Sequence, residues 1–229
     1  MSTGDLPSSP QGIAWEELWA PYDETTYQAV LSAIQPQDTL LEIGAGDLRL
    51  AWRMAKIAVQ VYAIEIQKSL LEKATHLSNL PENLTVILAD ARSIAFPNGI
   101  TAAVLLMRHC THFDLYVQKL MAVGCERLIT NARWGNGMEV IDLTAPRQPF
   151  DDLEIGWYAC LCGTAGFKTG LPEQLSLGWI NNVTEVSSCP HCMATQSKDS
   201  LWNVFEGSEP VPYLPEISPE IKTIYLEGA

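Results

Sequence analysis

The chain has 229 residues, of which 47% are hydrophobic and 18% charged, a globular composition with enough chain for a full core and not that of a disordered protein. Its formal net charge is −13, and residues 151–229 hold 11 Asp+Glu against 3 Lys+Arg. Phosphate backbones are held by Lys and Arg, so this balance argues against a nucleic-acid partner and for a small-molecule or protein substrate.

The first residues, MSTGDLPSSPQG, have neither the basic nor the apolar region of a secretory signal. The longest clear apolar run, Ala102 to Met107, is strand-sized, so no membrane span and a cytoplasmic location are expected. Residues 1–36 read as a tail and helical cap, with one or two helices across Ile13–Ile34. One apolar face carries Trp15, Leu18 and Trp19, another Tyr27, Val30, Leu31 and Ile34, and Pro21 and Pro36 punctuate them.

Residues 37–150 alternate strand and helix. The predicted strands are Thr39–Ile43, Val59–Ile66, Leu84–Ala89, Thr101–Met107 and Arg127–Thr130. Helices are predicted over Leu48–Lys56, Lys68–Leu77 and His112–Val123. Near-continuous apolar strands separated by helices imply a doubly wound α/β sheet, parallel and buried on both faces. Trp134-Gly135-Asn136-Gly137 predicts a hairpin turn leading to Met138–Leu143. Residues 151–206 form a small Cys- and Gly-rich segment, and residues 207–229 end in a predicted strand, Ile221–Leu226, that completes the sheet.

Three strand ends carry the candidate chemistry. The first strand runs into Glu42-Ile43-Gly44-Ala45-Gly46 and then a helix. Glycines let the backbone turn sharply and approach a ligand, and the helix start adds free N–H donors. Glu65, 19 residues after Gly46, ends the second strand before Ile66 and can accept both hydroxyls of a ribose. Asp90 with Ala91 ends the third, where a carboxylate and a backbone N–H can read an adenine edge. In an open α/β sheet these ends meet in one crevice. A nicotinamide-binding domain would carry GxGxxG, but the third glycine position is Arg49.

This order and spacing resembles the class I S-adenosylmethionine-dependent methyltransferases over Thr39–Asn131. The resemblance implies a Rossmann-like methyltransferase sheet in which Glu42 and Gly44–Gly46 line the methionine end, Glu65 and Ile66 the ribose, and Asp90 and Ala91 the adenine. Arg108 and His109, just after the fourth strand, would face the methyl group, with His109 the candidate catalytic base. Members that methylate amino groups of adenine or glutamine carry an Asn/Asp-Pro-Pro-Tyr type motif there. This chain has Met107-Arg108-His109-Cys110, which argues against base amino-group methylation. The alternatives are a non-catalytic cofactor-binding zinc scaffold and, less favoured, an RNA methyltransferase.

Cys110 and Cys125 sit singly in apolar stretches and read as core residues. Cys160, Cys162, Cys189 and Cys192 form two close pairs 26 residues apart. Two cysteine turns joined by a hairpin-length link suit a tetrahedral Zn²⁺ in a zinc-ribbon-like insertion, with Trp157–Ala159 and Val183–Val186 as hairpin arms. Cys-Pro-His-Cys also matches some thiol–disulfide oxidoreductases, a chemistry that needs a thioredoxin-type unit around it.

Overall fold

A computed structural model describes residues 20–74, 80–108, 110–133, 137–171 and 182–196. Trp15, Leu18, Trp19, His109, the Trp134–Asn136 turn and the predicted strand Ile221–Leu226 lie outside the described residues.

The described residues open with α1 (Glu24–Ser32), started by Asp23, whose side chain accepts from Thr26 N–H at 2.8 Å. There follow β1 (Thr39–Ile43), α2 (Arg49–Met54), β2 (Gln60–Glu65), α3 (Lys68–Lys73), β3 (Leu84–Leu88), β4 (Ala102–Leu105), α4 (Phe113–Ala122), β5 (Arg127–Thr130) and β6 (Glu139–Asp142). The sheet order is β3-β2-β1-β4-β5-β6, parallel except for β6, which returns antiparallel beside β5. This is the expected doubly wound sheet, with the order reversing between β1 and β4.

Period-two alternation splits the strands between two cores. Leu40, Val61, Ala63 and Val104 pack against Val30 of α1, Ala51 and Met54 of α2 and Leu71 of α3. Leu41, Ile43, Ile64 and Leu105 pack on the other face against Phe113, Val117 and Leu120 of α4, with Phe96 and Ile100 from the β3–β4 connection. The apolar runs predicted the strands well because both faces are covered. Among the described residues no helix is long and apolar enough to cross a membrane.

Asp38 ties the far end of this sheet together. It is 2% exposed and accepts from Gln35 N–H at 2.7 Å, Thr101 Oγ1 at 2.8 Å and Arg127 Nη2 at 2.6 Å. Burial opposes its charge, but Gln35 N–H, Arg127 and Thr101 outweigh it and hold the carboxyl below its ordinary 3.8. A depressed carboxylate contributes stability that is present above the unfolded value and lost as pH falls through the folded one. Asp38→Asn is therefore expected to cost about 1–2 kcal/mol at neutral pH. Urea melts should show the gap to wild type closing as pH drops below about 4.

A second sheet follows a short 3-10 turn at Phe150–Asp152. It consists of β7 (Gly156–Cys160), β8 (Ala165–Lys168) and β9 (Val183–Val186) in the order β8-β7-β9, and α5 (Pro190–Gln196) comes last. Here the expected hairpin is corrected. β7 pairs antiparallel with β8, and its pairing with β9 is parallel, Trp157 opposite Val183 and Cys160 opposite Val186. The two segments before the cysteine pairs thus run side by side in one direction, which delivers both cysteine turns to the same end of the sheet.

Buried ionic contacts join the two sheets. Arg133, with 1% of its side chain exposed, donates to Glu139 at the β6 edge (2.7 Å) and to Glu185 on β9 (2.5 Å). Gln148 bridges to Val186 beside them. Arg133 was not singled out in the sequence; its partners lie 6 and 52 residues away.

Candidate active site

Beyond β1 the chain turns through Gly44 (φ +76°) and Gly46 (φ +58°), left-handed conformations that favour glycine. Gly44 N–H and Ala45 N–H both donate to Ile64 O at 2.9 Å, which folds the turn over the end of β2. Gly46 N–H donates to Glu65 Oε2 and Gln67 N–H to Glu65 Oε1, each at 2.7 Å. Glu65 is 4% exposed and clamps the glycine turn to the β2–α3 connection. A carboxylate offers about four acceptor sites, so two remain for ligand hydroxyls.

Glu42 lies beneath the turn, 5% exposed, and its Oε2 has no hydrogen-bond partner. Burial pushes its pKa well above the carboxylate range, the charges of Glu65 and Asp47 push the same way, and Ala51 N–H opposes them. An unpartnered buried acceptor on a cavity wall is what a ligand donor would satisfy.

Asp90 accepts from Arg92 N–H at 2.9 Å, and the Arg92 guanidinium pairs with it at 2.8 Å, which holds the Asp90 carboxyl below its usual range. Lys119 of α4 secures this turn from behind. Its Nζ donates to Ala91 O, to Arg92 O at 3.1 Å and to Ile94 O at 2.6 Å, and sits 4.4 Å from the centre of the Phe96 ring. Sequence reasoning missed Lys119. The one signal was a lysine beside the apolar face of α4; three carbonyl partners in another segment leave no periodic trace. Lys119→Met is expected to weaken S-adenosylhomocysteine binding about five- to tenfold through a looser Asp90–Ile94 turn, with the melting temperature less affected. Calorimetric titration beside thermal melts checks it.

A cavity of about 590 Å³ opens at these strand ends, within the range of small-molecule sites. A smaller one of about 140 Å³ shares Gly44, Ile66 and Met107 with it. Of the predicted cofactor residues, Glu42, Gly44, Ala45, Glu65, Ile66 and Arg108 line the first, and Gly44, Ile66, Asp90 and Ala91 the second. Gly46 acts behind the wall through Glu65. Tyr22, Asp23 and Tyr27 supply the wall from the N-terminal side, and the Arg108 guanidinium lies 5.4 Å from the Tyr22 ring centre. The predicted catalytic His109 falls outside the described residues.

The four paired cysteines also converge. The Sγ atoms of Cys160, Cys162, Cys189 and Cys192 lie within 4.8 Å of one another, with separations of 3.5 Å for Cys160–Cys192 and 3.6 Å for Cys162–Cys189 and Cys189–Cys192. All are free thiols. Cys125 lies in the core as expected, and burial pushes its thiol up to about 11, whereas Cys110 is half-buried and packs against that core from its edge.

Sheet order, glycine turn and strand-end carboxylates define a class, and the comparison with sequence families agrees with them. Residues 22–125 match the family described as ribosomal RNA adenine dimethylase. Among curated proteins, it is 40% identical over 68 residues to a probable ribosomal RNA small subunit methyltransferase A of Methanosarcina acetivorans, covering 30% of this chain and 25% of that one. It is 34% identical over 128 residues to the protein of the same name from Pyrobaculum aerophilum, covering 51% and 53%. The chain thus spans about a quarter to a half of the length of these relatives. A dimethyladenosine transferase structure from Plasmodium falciparum superposes with a TM-score of 0.42 at 19% identity, over 47% of this chain and 41% of that one.

These relatives correct one expectation. The acidic balance argued against nucleic acid, yet the relatives are named for ribosomal RNA. Net charge counts acids wherever they lie. Asp38, Glu42 and Glu65 are buried, Asp47 and Asp90 are paired with Arg49 and Arg92, and 11 acids follow residue 150. The total therefore says little about the face around the crevice.

Proposed function

We propose that the chain transfers a methyl group from S-adenosylmethionine to RNA and carries one structural Zn²⁺. The observation that carries the RNA reading is the naming of its relatives for ribosomal RNA, together with a crevice whose wall matches a nucleoside-bearing cofactor. In this reading the spare lone pairs of Glu65 take the ribose hydroxyls, while Asp90 and Ala91 N–H face the adenine. Glu42 Oε2, unpartnered and buried, accepts from the methionine end. The cofactor supplies an electrophilic methyl on a sulfonium. What the chain supplies is position: the glycine turn and Met107–Arg108 hold the two reactants in line, the largest contribution available to a displacement of this kind.

The sequence after β4, Met107-Arg108, lacks the Asn/Asp-Pro-Pro-Tyr pattern of amino-methylating members. The reading therefore names RNA as the acceptor class rather than an exocyclic amine. The four sulfurs suit zinc on their own geometry. A tetrahedron with arms of about 2.3 Å has edges of about 3.8 Å, close to the separations of 3.5 Å for Cys160–Cys192 and 3.6 Å for Cys162–Cys189 and Cys189–Cys192. Four thiolates make a closed site with a structural task.

Methyl-labelled cofactor incubated with the purified chain, unmodified small-subunit ribosomal RNA transcripts and a cell extract tests the acceptor. Label is expected in RNA that ribonuclease removes. Label confined to protein or to small molecules would overturn the RNA reading.

A further inference from the structure

The cysteine turn after β7 does more than hold its own sheet. Leu161 packs into the core that also contains Phe113, Tyr116 and Met107. Gly163 has φ +92°, and a Cβ built on it would lie 3.2 Å from Phe113 Cδ1 and 3.3 Å from Phe113 Cβ. Backbone and ring are therefore in closest contact where α4 begins, and a side chain at this position would push Phe113 away. Phe113 is 3% exposed. One helical turn on, Tyr116 lines the smaller cavity with Met107 and with Asp90 and Ala91, the pair read above as facing the adenine. The far side of the cysteine turn is braced too. Cys160 O lies 3.5 Å from Arg133 Nη1, the arginine that ties β9 to the β6 edge.

We infer that the Cys160–Thr164 turn is the wall that positions Tyr116, and with it the adenine side of the crevice, through Phe113, and that the metal held by the four sulfurs keeps this wall rigid. This rests on the zinc reading above. The methionine and ribose side of the crevice, Gly44 to Glu65, is built on β1 and β2 inside the main sheet. The two halves of the site therefore answer to different supports. Loss of metal loosens the start of α4 and spares the glycine turn. Gly163 and Phe113 act as positioning residues, since neither touches a reacting group.

The test uses the full chain as purified and after removal of metal with a chelator, with zinc content measured on each sample. Amide exchange read by mass spectrometry is expected to quicken about tenfold at residues 110–117 on stripping, and to stay within about twofold at residues 39–46 and 60–67. S-adenosylhomocysteine affinity should fall about five- to tenfold, because the adenine side loosens with Tyr116. Gly163→Ala should give the same pattern with zinc still bound. Unchanged exchange at 110–117 after a measured loss of zinc overturns the inference and leaves the zinc reading standing. Equal quickening in all three regions overturns it as well, because that is general loosening. A chain purified without zinc overturns the metal reading. Gly163→Ala then decides the wall alone, and unchanged exchange at 110–117 in that variant sinks it.

Discussion

Replacing Glu65 by alanine is expected to weaken S-adenosylhomocysteine binding by about 100-fold or more, near 3 kcal/mol. The ribose hydroxyls are part of the reason. The larger part is structural: Glu65 accepts from Gly46 N–H and Gln67 N–H at 2.7 Å each, within a 4%-exposed environment. Charge-assisted hydrogen bonds of this length are each worth about 1.5–3 kcal/mol, and removing the carboxylate leaves both donors without a partner. The glycine turn then loses its tie to the end of β2, although Gly44 and Ala45 N–H still hold Ile64 O. Glu65→Gln keeps one acceptor and turns an amide N–H₂ toward the second backbone donor, so it should fall between the two. Calorimetric titration reads the affinity, and thermal melts separate a turn defect from global unfolding. An affinity for Glu65→Ala within about threefold of wild type would remove the residue from the cofactor site.

What could be read from the sequence follows from what each feature leaves in it. Strands β1 to β5 were legible because each is buried on both faces and therefore apolar almost throughout. Glu42, Glu65 and Asp90 were legible because the rule for open sheets puts strand ends together whatever the side chains do. Helix starts were less so. α2 begins at Arg49 because Leu48 is left-handed, at φ 64°, and a leucine gives no warning of that. Whether β7 meets β9 parallel or antiparallel is not a local property, so the strand pairing was not legible even though the four sulfurs lie within 4.8 Å of one another. Lys119 and Arg133 were invisible because their partners, carbonyls 25–28 residues away and carboxylates 6 and 52 residues away, leave no periodic pattern in the chain. The partner class was misjudged from net charge because a sum over the whole chain erases where the charges sit.

Zinc is expected at about one ion per chain, bound by Cys160, Cys162, Cys189 and Cys192, and its removal should dismantle the second sheet while the main one survives. The reason is the size of the two cores. Among the described residues the cluster under the second sheet buries Leu153, Cys160, Val186 and Cys189, with Phe150, Tyr158, Cys162 and Cys192 packed against them, so all four ligands belong to it. A three-stranded sheet with so little apolar burial needs a staple, and structural zinc in small domains supplies about 10–16 kcal/mol of apparent folding free energy. The main sheet has two larger cores of its own and needs none of this. Cys189→Ser should therefore cost most of the zinc and quicken amide exchange across 156–160 and 183–186, with the strands of the main sheet still protected. Substitution of Cys110 or Cys125, neither of which belongs to the four-sulfur cluster, should leave the zinc content unchanged. X-ray absorption should find four sulfurs at about 2.3 Å. A Cys189–Cys192 disulfide in protein isolated under reducing conditions, with no metal bound, would instead assign the Cys-Pro-His-Cys segment to redox chemistry, since Cys189 immediately precedes the α5 start at Pro190.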